Sequence, residues 1–148
     1  MGGFEAVTWA AVYPDDISFL ISLVSSYKVG GQNYVLSKVM NDIITSDKDF
    51  NNKKVTGDLK RALELSSKAM YSFGLSRQFY MDQSTSDIDK YMDEFAMEDS
   101  QEDVLDAYYR NNASMNYDLT DIISNITAKT LIIGIYEDQY FPPELDAI

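Results

Sequence analysis

The sequence contains neither histidine nor cysteine in its 148 residues. Without cysteine there can be no disulfide, no zinc–thiolate site and no thiol nucleophile. Without histidine the commonest general base for activating a hydroxyl is missing. Arginine is confined to Arg61, Arg77 and Arg110. No apolar run is long enough to span a membrane, and the start lacks the basic and long apolar regions of a secretion signal. Ala6 stands where a myristoylation site needs serine or threonine. Two glycosylation sequons, Asn112-Ala113-Ser114 and Asn125-Ile126-Thr127, read as chance matches without an export signal, and the cytoplasm is the expected compartment.

Positive charge is also scarce. The net charge is −12, and residues 82–106 hold ten acids against Lys90 alone. Such a surface repels polyanions, which argues against nucleic acid and anionic membranes as partners. The acidic run does not have the glycine and distant glutamate of a calcium loop, so it reads as a solvated helix face and no metal site is expected. Hydrophobic residues make up 45% and aromatic residues 13%, enough to build the core of one domain.

Apolar patterning divides the chain into two short strands and a helical remainder. Residues 4–12 read as a helix that must stop before Pro14. Residues 17–25 and 130–136 are near-continuous apolar runs of the kind found in strands covered on both faces of a parallel sheet. Between them, a helix is expected over 32–45 with Val35, Leu36, Val39, Met40, Ile43 and Ile44 on one face, then a polar loop over 47–54. A longer helix follows from about Thr56 to a stop near Gly74. Ser86 with Asp89, and Ser100 with Asp103, have the spacing of helix caps. A short helix over 118–126 leads into the second strand. A right-handed crossover would make the two strands parallel, and an excursion of about a hundred residues is far longer than a crossover needs. Extra helices at the carboxyl edge of a parallel sheet usually cover a site.

The ends of the chain are the most specific segments. Met1-Gly2-Gly3-Phe4 runs into a helix closed by Tyr13-Pro14-Asp15, and Gly134-Ile135-Tyr136-Glu137-Asp138 leads to Phe141-Pro142-Pro143-Glu144. The first resembles the segment after the nucleophile elbow of an α/β-hydrolase, and the second its triad-acid loop. Together with Gln32-Asn33 and Tyr117-Asp118-Leu119, they are similar to homoserine O-acetyltransferases along the whole chain. The implied fold is α/β, an incomplete α/β-hydrolase: core helix and strand over 1–25, an all-helical lid over 26–127, and core strand with acid loop over 128–148. Asp138 would be the triad acid, orienting a histidine and compensating its charge. Met1 would follow the nucleophilic serine, which would lie one position before the chain starts, and its backbone N–H would serve the oxyanion hole.

The activity implied is acetyl transfer from acetyl-coenzyme A to the hydroxyl of homoserine, in methionine biosynthesis, through an acyl-enzyme. No cofactor is implied beyond acetyl-coenzyme A as co-substrate. Asn41 stands where that family commonly carries arginine, which leaves Arg77 as the candidate for a substrate carboxylate. A related ester hydrolase is the alternative, and so is a non-catalytic interaction protein built on the lid. The 11 tyrosines and 7 methionines suit either lid packing or an interface such as a homodimer through the lid helices. Lacking serine nucleophile and histidine, the chain alone is expected to be inactive and marginally stable.

Overall fold

The computed structural model describes residues 2–142. It is mostly helical with a small parallel sheet, and the chain divides into two compact units. One comprises Met1–Gly30 and Asn116–Ile148, the other Gly31–Met115.

In the first unit, helix α1 (Gly2–Val12) buries Phe4, Val7, Ala10 and Ala11, the three- and four-residue spacing of a single helix face. It ends where Pro14 forbids another turn, and Asp16 N closes the exit by donating to Tyr13 O (3.1 Å). Strand β1 (Phe19–Leu23) buries Leu20 and Ser22 and exposes Phe19, Ile21 and Leu23. Strand β4 (Lys129–Ile133) runs parallel to it, with Ile21 beside Leu131 and Leu23 beside Ile133. The expectation of strands covered on both faces fails: among the described residues no second layer packs on the face of Phe19, Ile21 and Leu23, and every position of β4 is exposed. Leu20 joins Val7, Ala10 and Leu119 in the core of this unit.

Residues 118–126 form a turn and one 3₁₀ turn (Ile123–Asn125) instead of the expected helix. Their backbone is committed elsewhere: Leu119 N donates to Tyr27 O and Val29 N to Tyr117 O, each at 2.9 Å. This short antiparallel strap joins the two places where the chain leaves and re-enters the unit. Asp118 Oδ1 accepts from Thr120 Oγ1 (2.5 Å) and Thr120 N (2.8 Å). Those bonds, the hydroxyl's first, hold the Asp118 carboxyl below its ordinary range.

The second unit is built from α2 (Gly31–Ser46), a hairpin of β2 (Phe50–Asn51) and β3 (Lys54–Val55), and four further helices. These are α3 (Lys60–Tyr71), α4 (Arg77–Asp82), α5 (Thr85–Asp99) and α6 (Val104–Met115). Ile44, Leu59, Ala62, Leu63, Val104 and Ala107 form its apolar centre. The buried face of α2 is rotated from the expected one: Val35 and Val39 are exposed, while Ser37 and Asn41 are buried. A polar seam explains the rotation. Asn111 Nδ2 donates to Asn41 Oδ1 (3.0 Å), Asn41 Nδ2 to Tyr108 O (3.2 Å) and Ser37 Oγ to Ser114 Oγ (3.4 Å). Paired in this way, buried amides cost little and fix the register of α2 on α6.

The N-cap of α5 is Ser84, two residues before the expected Ser86. Its Oγ accepts from Asp87 N (3.2 Å) and donates to Asp87 Oδ2 (2.6 Å). Ser100 closes α5, with its N–H donating to Ala96 O (3.0 Å), and Asp103 opens α6 by accepting from Leu105 N (2.7 Å).

Candidate active site

Because β1 and β4 are parallel, both end at the same edge of the sheet. The chain continues from β1 into Val24 and Ser25, and from β4 into the loop that carries Asp138. Helix α1 returns its first turn to this edge, and Gly3 is what lets it approach. A Cβ at position 3 would lie 2.5 Å from Ser25 Cβ and 2.8 Å from Ser25 Oγ, closer than real side chains come. Val24 adopts φ +46°, a left-handed conformation that a β-branched residue takes only at a cost of about 1–3 kcal/mol. Its N–H donates to Ile133 O (2.8 Å), which extends the β1–β4 ladder through the strained residue.

Aromatic packing closes the edge. Phe4 stacks on Tyr117 with ring centroids 4.0 Å apart, and meets Phe141 edge-on at 5.6 Å. Phe4 directly follows Gly3 and Phe141 lies three residues after Asp138, so the start of α1 and the acid loop are packed together. Asp138 is half-buried. Its Oδ1 accepts from Tyr140 N (2.6 Å) and Phe141 N (2.9 Å), and its own N–H donates to Ile135 O (3.1 Å). Two backbone donors on one oxygen fix the orientation of the carboxylate. Among the described residues, both of these bonds fall on Oδ1.

Tyr117 completes the stack, and its hydroxyl is buried without a hydrogen bond of ordinary geometry. Burial raises its pKa, and the neighbouring Thr8 hydroxyl opposes the rise. Thr8 spends its own proton on Phe4 O (2.7 Å). Removing a buried hydroxyl whose one neighbour is already committed to Phe4 O relieves its desolvation cost, so Tyr117→Phe should stabilise the protein by up to about 1 kcal/mol near neutral pH. A phenol whose folded pKa is raised contributes its full stability below about pH 10 and loses it as pH climbs through the folded value. The gain from Tyr117→Phe should therefore widen above pH 10. Urea midpoints at pH 7 and at pH 10.5 would check both the sign and the trend.

Beneath the edge, on the α1 side of the sheet, lies a cavity of about 210 Å³ lined by Val7, Leu20, Ser25, Ile126 and Ile132 among others. Of the residues singled out in the sequence, Met1 lies outside the described residues. Arg77 is the exposed first residue of α4, in the helical unit. Sequence reasoning missed Val24, Ser25 and Phe4. Only the pairing of a glycine at position 3 with small residues past the strand could have signalled the close approach.

A strained turn beyond one parallel strand, a glycine-led helix start and an oriented aspartate after the neighbouring strand define the class: an incomplete α/β-hydrolase fold with a helical insertion. Within that class the chain resembles the O-acyltransferases and esterases of the homoserine O-acetyltransferase kind. A probable acyltransferase of Methanothermobacter thermautotrophicus is 43% identical over 148 residues, 100% of this chain and 46% of that protein. The crystal structure of homoserine O-acetyltransferase from Bacillus anthracis superposes with a TM-score of 0.85 at 18% identity, covering 98% of this chain and 46% of that one. An acetylester hydrolase from Corynebacterium glutamicum gives 0.78 at 18% identity, covering 97% and 46%. The chain thus spans about half the length of the proteins it matches. No family model matches it.

Proposed function

We propose that this chain supplies the triad acid and the helical lid of a serine-dependent acyltransferase. It would act on a small-molecule hydroxyl with acetyl-coenzyme A as the acyl donor, and by itself it would be inactive. The packing of α1's first turn against the Asp138 loop is the observation that carries the reading. An oxyanion donor at the start of α1 and a carboxylate after β4 must flank the same reacting carbonyl, one from the nucleophile side and one behind the histidine. Asp138 Oδ1 is taken up by its own loop, which leaves Oδ2 to meet an imidazole N–H. The backbone N–H of Met1 is the proposed oxyanion donor.

Ester hydrolysis is the second reading, and Asn41 favours it. A carboxylate-bearing acceptor such as homoserine wants a guanidinium. Asn41 offers no charge, and its amide is used up within the α2–α6 seam. Arg77 is the remaining candidate for that contact. The helical unit would also serve as a homodimer surface, as its exposed Met81, Tyr91 and Met97 allow.

The purified 148-residue chain should turn over neither acetyl-coenzyme A nor a nitrophenyl acetate ester above the buffer rate. Turnover by the chain alone, removed by Asp138→Asn, would overturn the proposal. Activity with nitrophenyl acetate but not with acetyl-coenzyme A and a hydroxyl acceptor, once the serine and histidine are supplied, would select the hydrolase.

A further inference from the structure

Three rings meet at the sheet edge, and one of them is anchored from another segment. Phe4 follows Gly2 and Gly3 in α1, and glycine loses more conformational freedom in a helix than any other residue. The first-turn N–H groups of a helix have no partner within it, so such a start frays unless a side chain pins it. Phe4 is buried, and among the described residues its ring partners are Tyr117 and Phe141. Phe141 belongs to the acid loop, and the bonds to Asp138 from Tyr140 N and Phe141 N are internal to that loop. Tyr117 differs. Its carbonyl accepts from Val29 N, and two residues on Leu119 N donates to Tyr27 O, each at 2.9 Å. Both bonds of the strap tie Tyr117 to the segment that follows β1. Its ring lies flat on Phe4, the two planes 13° apart.

We propose that Tyr117 is a positioning residue: its ring, held by the strap, seats Phe4 and through it both sides of the reaction centre. The inference rests on the functional reading above. On one side the seat fixes the first turn of α1, and the residue before that turn, Met1, is the proposed oxyanion donor. On the other side Phe4 meets Phe141 edge-on, and the Phe141 N–H is one of the two donors that orient Asp138. The ring carries this role and the hydroxyl does not, since the hydroxyl is buried without an ordinary partner. A displacement of about 1 Å at a reacting group is enough to slow turnover, even when its cause lies away from the chemistry.

Amide hydrogen exchange in the 148-residue chain tests the seat. Tyr117→Leu should speed exchange about 10-fold both in residues 2–7 and in residues 138–141, with α6 unchanged. Tyr117→Phe should keep the parent rates. Phe141→Leu, at the far end of the stack, should loosen residues 138–141 alone, which keeps the question decidable if Tyr117→Leu does not fold. Where the serine and histidine are supplied, Tyr117→Leu should lower kcat about 10-fold, counted per acyl-enzyme burst, with KM little changed. Tyr117→Phe should restore the parent kcat. Unchanged exchange at either segment in Tyr117→Leu overturns the proposal, as does full kcat per burst in that variant. So does Tyr117→Phe as impaired as Tyr117→Leu, or Phe141→Leu that loosens α1 as well. Asp138→Asn with undiminished turnover refutes the functional reading, while faster exchange at both segments in Tyr117→Leu still upholds the ring as their common clamp.

Discussion

Gly3→Ala should lower the stability of the chain by about 2–3 kcal/mol, although alanine is the better helix former by about 1 kcal/mol. The added methyl meets Ser25 Cβ at 2.5 Å, and that atom is fixed to the backbone just past β1, so it cannot swing aside. Either α1 lifts from the sheet edge or the strained Val24 turn gives way. Gly2→Ala is the matched control, because nothing lies within 4 Å of a Cβ at position 2 and only the propensity gain remains. Urea denaturation of the two variants should therefore give opposite signs. Ser25→Gly should rescue much of the Gly3→Ala loss in a double-mutant cycle, despite the lost bond from Ser22 Oγ to Ser25 Oγ (3.3 Å). If Gly3→Ala is as stable as Gly2→Ala, the close approach that brings α1 to the edge does not exist.

Asp138→Asn, measured where the serine and histidine are supplied, should reduce kcat about 10³- to 10⁴-fold with little change in KM. An amide in that position can still accept the loop's N–H bonds, so the turn keeps its shape. It cannot compensate an imidazolium, and its NH₂ group favours the wrong tautomer. Unchanged circular dichroism with lost turnover would separate this effect from unfolding. Residual activity above a tenth of the parent rate would move the acid elsewhere, Glu137 being the nearest carboxylate in sequence.

The sequence displayed the two strands, α1 and the helical character of the middle because each depends on runs of apolar residues long enough to show a period. Where the determinants are polar or local, it misled. Ser37 and Asn41 look like surface residues, yet their mutual satisfaction with Ser114 and Asn111 turns α2. Helix α4 buries none of its residues fully; it is capped by Ser76, whose Oγ accepts from Phe79 N (3.1 Å), and packs through Phe79 on Tyr91 and Tyr80 on Tyr71, so no stripe announced it. The hairpin over 50–55 hides in a polar run because its turn needs Asn52 and Lys53 at φ +50° and +60°, a backbone property with no hydropathy signature. In the candidate site, the loop position of Asp138 after an apolar strand was legible, while the role of triad acid was implied by the family resemblance alone. The Val24 strain and the Gly3–Ser25 approach were not, since both are set by contacts between segments distant in the chain.

The strap between Tyr27–Val29 and Tyr117–Leu119 bears on the kinetics of assembly. Phe19 pairs with Lys129 across a very long stretch of chain, and closing such a loop from an unfolded coil costs roughly 4 kcal/mol of entropy. The two crossing points lie within hydrogen-bonding reach of each other, so an insertion that has already folded works as a short tether. β1 and β4 then meet at a high effective concentration instead of searching for each other, and the slowest step of a high-contact-order topology becomes a local one. The helical insertion is in this sense an assembly jig for the β1–β4 sheet.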